Sequence, residues 1–179
     1  MILSDSHMHT IFSTDSDTPV EKMIEGAIAK GLRSICITDH FDKDFPSDTE
    51  FGKDAFQFDL DEYMQTMKKI QKEYEDKIHI RIGIELGLQT HLQEFYQKLT
   101  QQYPFDFVIG SVHLVDGKDP YYREGFAELS DRELYRKGFE NMTCTKVELE
   151  EAKEDGIKFE LFKAPLEITE EGVKYIETE

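Results

Sequence analysis

The chain has 179 residues, of which 39% are hydrophobic and 33% charged; that is enough apolar material for one folded domain and argues against a disordered chain. Its 38 acidic and 21 basic residues give a formal charge of −17. Phosphate backbones and anionic membrane surfaces repel such a chain, which excludes a broad nucleic-acid or membrane partner. A small anionic substrate stays admissible where bound cations compensate the charge.

The first 110 residues alternate strand and helix patterns. Residues 2–9 read as a strand. Thr18-Pro19-Val20-Glu21 predicts a helix start, with Thr18 as N-cap, Pro19 in the first helical position and Glu21 closing a capping box. Val20, Met23, Ile24, Ala27 and Ile28 follow at helical spacing up to Gly31, a natural C-terminal cap. Residues 34–40 (SICITDH) read as the second strand, 41–58 as a long loop, and 59–74 as a helix presenting Tyr63, Met67, Ile70 and Tyr74. Residues 78–85, IHIRIGIE, alternate strictly: the isoleucines take one face, and His79, Arg81, Gly83 and Glu85 the other. Residues 90–101 predict a helix with Leu92, Phe95 and Leu99 inward, and 105–110 a fourth strand. Strand, helix, strand, helix with right-handed crossovers is an α/β pattern that gives a parallel sheet or barrel.

Residues 114–129 read as a loop, and Ser130 and Glu133 open a further helix with a capping box. The pattern then changes. Residues 145–155 predict a short charged helix. Residues 157–162 and 173–176 predict strands joined through Pro165 and a turn near Glu171-Gly172, so 143–179 reads as a small appendage. No stretch approaches the roughly 18 apolar residues of a membrane span. MILSDSHMHT has neither a basic n-region nor a long apolar h-region, so no signal peptide is expected and the cytoplasm is the expected compartment. Cys36 and Cys144 make no disulfide framework; Cys36, inside an apolar run, is expected to be a buried free thiol.

Polar residues end all four predicted strands: His7-Met8-His9, Thr38-Asp39-His40, Glu85, and Ser111-Val112-His113. Residues two apart on a strand share a face, so His7 and His9 converge. Ser34, Cys36, Thr38 and His40 share another face, where small side chains leave room beside a ligand. Parallel α/β folds bind ligands at the C-terminal ends of their strands. Imidazole and carboxylate together suit zinc, manganese or iron, and several such groups in one mouth suggest two or three ions. Asp15 is a further candidate ligand, with Asp17 its competitor. His79, mid-strand, and His91, in the first turn of a helix, read as structural, and the acids of 143–155 as a solvated face.

HMHTIFSTDS, CITDHFD, GIELG and GSVHLVDGKDPYY resemble the successive motifs of the PHP (polymerase and histidinol phosphatase) superfamily, most closely its histidinol-phosphate phosphatases, over about residues 1–142. The resemblance implies a distorted β/α barrel, here partial, with a multinuclear centre of divalent metal ions. It also implies hydrolysis of L-histidinol phosphate to L-histidinol and phosphate in histidine biosynthesis. By motif, His7 and His9 would hold one ion and Asp15 and His40 another. Glu85 would bridge, and His113 would complete the second position. A metal-bound hydroxide would attack phosphorus, with no catalytic side chain beyond it; the substrate-binding residues stay unassigned. The family's later Gly-His-x-Asp and Asp-x-His motifs have no counterpart, since no histidine follows His113. A partial barrel leaves open sheet edges, which a homo-oligomer would supply. KVELEEAKEDGIKFELFKAPLEITEEGVKYIETE resembles a segment of FAD- and NAD-dependent oxidoreductases related to the glutamate synthase small subunit, but holds no dinucleotide fingerprint, and no oxidoreductase activity is expected from it. Two alternatives stand beside the histidinol-phosphatase reading: a PHP phosphoesterase acting on a nucleotide or sugar phosphate, and a non-catalytic metal-binding remnant.

Overall fold

A computed structural model describes residues 2–52, 55–140, 163–169 and 172–177. It shows an α/β chain built on a parallel sheet, as expected of a partial β/α barrel. Strand β1 (Ser4–Met8) leads through a loop to helix α1 (Val20–Ala29), then to β2 (Ser34–Ile37) and a two-residue β3 (His40–Phe41). Helix α2 (Leu60–Glu73), β4 (His79–Gly87), a 3-10 turn (Thr90–Leu92), α3 (Gln93–Gln102) and β5 (Phe107–Ser111) follow. A second 3-10 turn (Arg123–Phe126) precedes α4 (Asp131–Glu140). β6 (Lys163–Thr169) and β7 (Gly172–Glu177) form a separate antiparallel pair.

β4 is the centre of the sheet. β2 pairs with it from Ser34↔His79 to Ile37↔Ile82, and β3 resumes at His40↔Glu85 in the same register. β5 also pairs in parallel with β4, from Gly83↔Phe107 to Gly87↔Ser111, and β1 pairs with β2. The alternation of IHIRIGIE explains the layering. Ile78, Ile80 and Ile82 pack with Ile35 and Ile37 under Val20, Ile24 and Ala27 of α1 and Tyr63, Met64, Met67 and Ile70 of α2. Ile84 and Leu86 pack with Leu92, Tyr96 and Leu99 at α3. Burying such side chains contributes roughly 1.5–3 kcal/mol each, and it fixes which face of the sheet the helices cover. The opposite face carries Cys36, Thr38, Gly83 and Glu85.

Four local expectations shift. α1 begins at Val20 with Pro19 as N-cap and no side-chain cap bond, so Thr18 closes no capping box. Its C-terminus does follow the sequence: Gly31 takes φ +80°, its N–H donates to Ile28, and that of Leu32 donates to Ala27. The single strand expected over 34–40 breaks at Thr38-Asp39, whose side chains turn to β1 and the loop after it (Thr38 to His7, Asp39 to Thr10). On α3 the buried aromatic residue is Tyr96, not Phe95. The Tyr96 hydroxyl donates to the buried Gly87 carbonyl at 2.9 Å, which a phenylalanine could not do. Pro165, expected in the connection, lies inside β6, and the register shifts between it and Glu167, as a residue without an N–H requires. The helix expected at 145–155 and the strand at 157–162 lie outside the described residues. The Ser130–Glu133 capping box forms, with Ser130 N–H donating to the Glu133 carboxylate at 2.8 Å and Glu133 N–H donating to Ser130 Oγ at 3.3 Å.

Gly83 shows how tightly the inner face is built. A Cβ there would lie 2.8 Å from Thr38 Cγ2, 2.9 Å from Cys36 Sγ and 2.9 Å from the Phe107 carbonyl oxygen. The carbonyl is backbone of the neighbouring strand and cannot step aside. Gly83→Ala is therefore expected to lower unfolding stability by about 1–3 kcal/mol. Urea unfolding curves that superimpose for the two proteins would contradict this packing.

Candidate metal centre

Glu85 lies on the inner face of β4, with its side chain 6% exposed. Its oxygens are shared among four imidazoles. Oε2 lies 3.1 Å from His9 Nε2, 3.4 Å from His7 Nε2 and 3.7 Å from His40 Nδ1. Oε1 lies 3.0 Å from His113 Nε2 and accepts the Ser111 hydroxyl at 2.6 Å. The rings follow one another edge to face, with centroids 4.8 Å apart for His7–His9, 4.3 Å for His9–His40 and 4.6 Å for His40–His113. These groups come from the ends of β1, β3, β4 and β5, so the parallel sheet gathers them at one mouth.

The far ring nitrogens are held as well. His7 Nδ1 meets Thr38 Oγ1 at 2.8 Å, and His113 Nδ1 meets Asp42 Oδ2 at 2.7 Å. Asp15 Oδ2 reaches His9 Nδ1 at 3.0 Å and His40 Nε2 at 3.5 Å. Asp15 sits on the loop after β1, and buried polar contacts fix that loop. Asp39 accepts the Thr10 N–H and hydroxyl, Ser13 Oγ accepts the His40 N–H at 2.6 Å, and Thr14 Oγ1 accepts the Phe56 N–H at 2.8 Å. Thus Thr10, Ser13 and Thr14 tie the loop to Asp39, to His40 of β3 and to Phe56, and Asp15 faces the histidines.

All six candidate ligands named by the sequence, His7, His9, Asp15, His40, Glu85 and His113, come together. Asp17 is exposed and, among the described residues, belongs to none of the groups able to hold a cation. His79 and His91 lie outside these groups too; His91 meets the exposed Asp44 at 3.2 Å. The sequence reading missed Asp42, which is 2% exposed and stands two residues past His40 on the short β3 line. The signal was present in HFD, since residues two apart on an extended segment share a side. Thr38, expected only to leave room for a ligand, instead holds His7.

The donor set fits divalent cations. Three groups, His7–His9–Glu85, His9–Asp15–His40 and His40–Asp42–His113, each bring their ligand atoms within 4.8 Å of one another. Imidazole mixed with carboxylate is the chemistry of zinc, manganese and iron sites. Among the described residues, buried His40 Nδ1 and Asp42 Oδ1 have no hydrogen-bond partner; a cation beside His40 would satisfy the ring nitrogen.

Without a cation, protons must do that balancing. Burial opposes the charge on Glu85, but hydrogen bonds from His113, His9 and Ser111 outweigh it and hold the carboxyl well below the usual carboxylate range. The hydrogen bond to Glu85 raises His9 against burial, with Asp15 assisting, whereas burial lowers His40. Burial also opposes charge on His113, yet Asp42 and Glu85 prevail and lift it to about 9. A folded pKa above the ordinary 6.5 means that the His113 proton stabilises the metal-free fold fully below pH 6.5, and that this contribution is lost as pH rises through about 9. A proton NMR titration of metal-free protein, with His113 assigned through His113→Gln, is expected to show its midpoint near 9; a midpoint at 6.5 would refute the charge arrangement.

The geometry can be set beside known proteins. The PHP domain family matches residues 5–175 of the chain. The histidinol-phosphatase of Lactococcus lactis subsp. lactis is 38% identical over 135 residues, which cover 72% of this chain and 48% of that protein. A Clostridium acetobutylicum protein named a probable histidinol-phosphatase is 32% identical over 138 residues, covering 77% of this chain and 50% of its own length. The crystal structure of the Lactococcus lactis histidinol phosphate phosphatase, complexed with zinc, L-histidinol and phosphate, superimposes with a TM-score of 0.67 and 36% identity over 75% of this chain and 49% of that one. The chain thus spans about half the length of the curated relatives it matches. With the family matched from β1 to within β7, and the histidine and carboxylate motifs gathered at one mouth, the chain belongs to the PHP domain family.

Proposed function

We propose that the chain is a metal-dependent phosphomonoesterase that converts L-histidinol phosphate and water to L-histidinol and phosphate, in cytoplasmic histidine biosynthesis. The observation that carries this reading is one buried carboxylate, Glu85, faced by four imidazoles at the C-terminal ends of parallel strands. The Lactococcus lactis relative, crystallised with zinc and both products of that reaction, supports the choice of substrate. No helix among the described residues is long and apolar enough to cross a membrane.

His7 and His9 would hold one ion and Asp15 and His40 another, with Glu85 between them and His113 completing the second position; zinc, manganese and iron all suit these donors, as two or three ions. Such cations, when bound, draw charge from phosphate oxygens and ready a water for attack. The chain's own residues orient the site. Thr38 and Asp42 fix two of the rings, Glu85 offers both oxygens to the mouth, and the Asp39–Thr10 contacts keep Asp15 in place. In the hydrolysis the water oxygen forms a bond to phosphorus, the ester P–O bond breaks, and the departing alkoxide takes up a proton that the water gives up, becoming the histidinol hydroxyl. All these residues fall in 1–142, which we take as the phosphatase-like part, with 143–179 as an appendage.

Phosphate release from histidinol phosphate by the purified chain, with zinc or manganese added, is expected to be abolished by a chelator and to exceed release from nucleotide and sugar phosphates. Folded, metal-loaded protein that releases none would overturn the assignment. His7→Ala and Glu85→Ala are expected to lower bound metal, Glu85→Ala by more than the roughly 10- to 100-fold affinity loss typical of outer partners. His91→Ala, on the exposed Asp44 pair, is expected to keep full metal content. Full metal stoichiometry in both His7→Ala and Glu85→Ala would place the centre elsewhere.

A further inference from the structure

Asp42 is a buried carboxylate that the motif-derived ligand set does not include. Its Oδ2 meets His113 Nδ1 at 2.7 Å, while the opposite ring nitrogen, Nε2, lies 3.0 Å from Glu85 Oε1. An imidazole has one nitrogen on each side, so a cation beside Glu85 and the Asp42 carboxylate must take opposite nitrogens of the ring. Thr38 stands in the same relation to His7, with Nδ1 held at 2.8 Å and Nε2 turned to Glu85 at 3.4 Å. A second, independent observation concerns space. Gly87 lies so close that a Cβ there would fall 2.5 Å from Asp42 Cγ and Oδ1 and 3.0 Å from Oδ2. Gly87 has no positive φ to explain it, and its carbonyl is already bound by Tyr96. The absence of a side chain at 87 is what lets the carboxylate reach the ring.

We propose that Asp42 is a positioning residue of the metal centre: it holds His113 with Nδ1 protonated and Nε2 free for a cation, and Gly87 is the glycine that admits it. The inference rests on the metal reading of the site. A carboxylate behind a ligating imidazole fixes the tautomer and ring orientation and raises ligand basicity, so its loss weakens metal binding without removing a ligand.

Zinc affinity by chelator competition, together with long-range proton–nitrogen NMR of the His113 ring, separates this role from its rivals. Asp42→Ala is expected to weaken zinc binding about 10- to 100-fold and to shift the His113 Nδ1 signal. Asp42→Asn, whose amide oxygen still accepts from Nδ1–H, is expected to restore most of the affinity, which a purely charge-based role would not allow. Gly87→Ala is expected to reproduce the Asp42→Ala loss in the parent chain but to add little in the Asp42→Ala background, where the carboxyl it displaces is gone. Unchanged zinc affinity and an unmoved His113 signal in Asp42→Ala would overturn the proposal. So would loss of a whole zinc equivalent in Asp42→Asn, which would make Asp42 a direct ligand. A parent chain that retains no zinc would refute the metal reading itself; the metal-free His113 signal would then decide, and its indifference to Asp42→Ala would overturn the positioning role.

Discussion

The interaction on which the rest depends is the sharing of the Glu85 carboxylate among His7, His9, His40 and His113. A carboxylate this buried is costly unless it is compensated, and nothing on its own strand compensates it. The partners come from β1, β3 and the segment after β5, so the charge on β4 is balanced only when the sheet is assembled. Glu85 therefore links folding to the site: joining the strands takes its carboxylate out of water, the imidazoles compensate that cost, and their nitrogens end aimed at one small volume.

The layering of the sheet makes this possible. The isoleucines of β2 and β4 send their bulk outward under α1, α2 and α3, where the hydrophobic stabilisation lies. The inner face is then free to hold small or polar groups. Gly83 leaves space for Cys36 and Thr38, and Gly87 leaves space for Asp42. The loop after β1 belongs to the same scheme. It is tied down by Asp39, whose carboxyl burial pushes up against the opposing hydrogen bonds from Thr10. A polar anchor of this kind fixes Asp15 more narrowly than apolar packing would, because each bond has a direction.

Much of this was legible in advance because it rests on short periods. Strict alternation in IHIRIGIE separates Glu85 from the isoleucines, and HMH and the four strand ends suffice to bring five ligand candidates to one place; Asp15 comes from the loop after β1. Asp42 escaped notice because residues 41–58 show no period, so the two-residue β3 that aligns Asp42 with His40 is visible only as pairing to β4. Tyr96 rather than Phe95 is buried because a carbonyl on another element needs a donor, and helical spacing at 92, 95 or 96, and 99 serves both choices equally well.

Reading the residues in order suffices for the alternation of strands and helices, the two faces of β4, five of the six candidate ligands and the resemblance of their motifs to the PHP superfamily. These follow from residue type and local spacing, which act within a few residues along the chain. The assembled sheet and its loops add which nitrogen of each ring faces Glu85, which of Asp15 and Asp17 joins the histidines, that Thr38 and Asp42 hold the rings from behind, and that Gly87 must be small. Those are distances between groups remote in sequence, and they are set by the register of neighbouring strands and the anchoring of loops, quantities that no local pattern encodes.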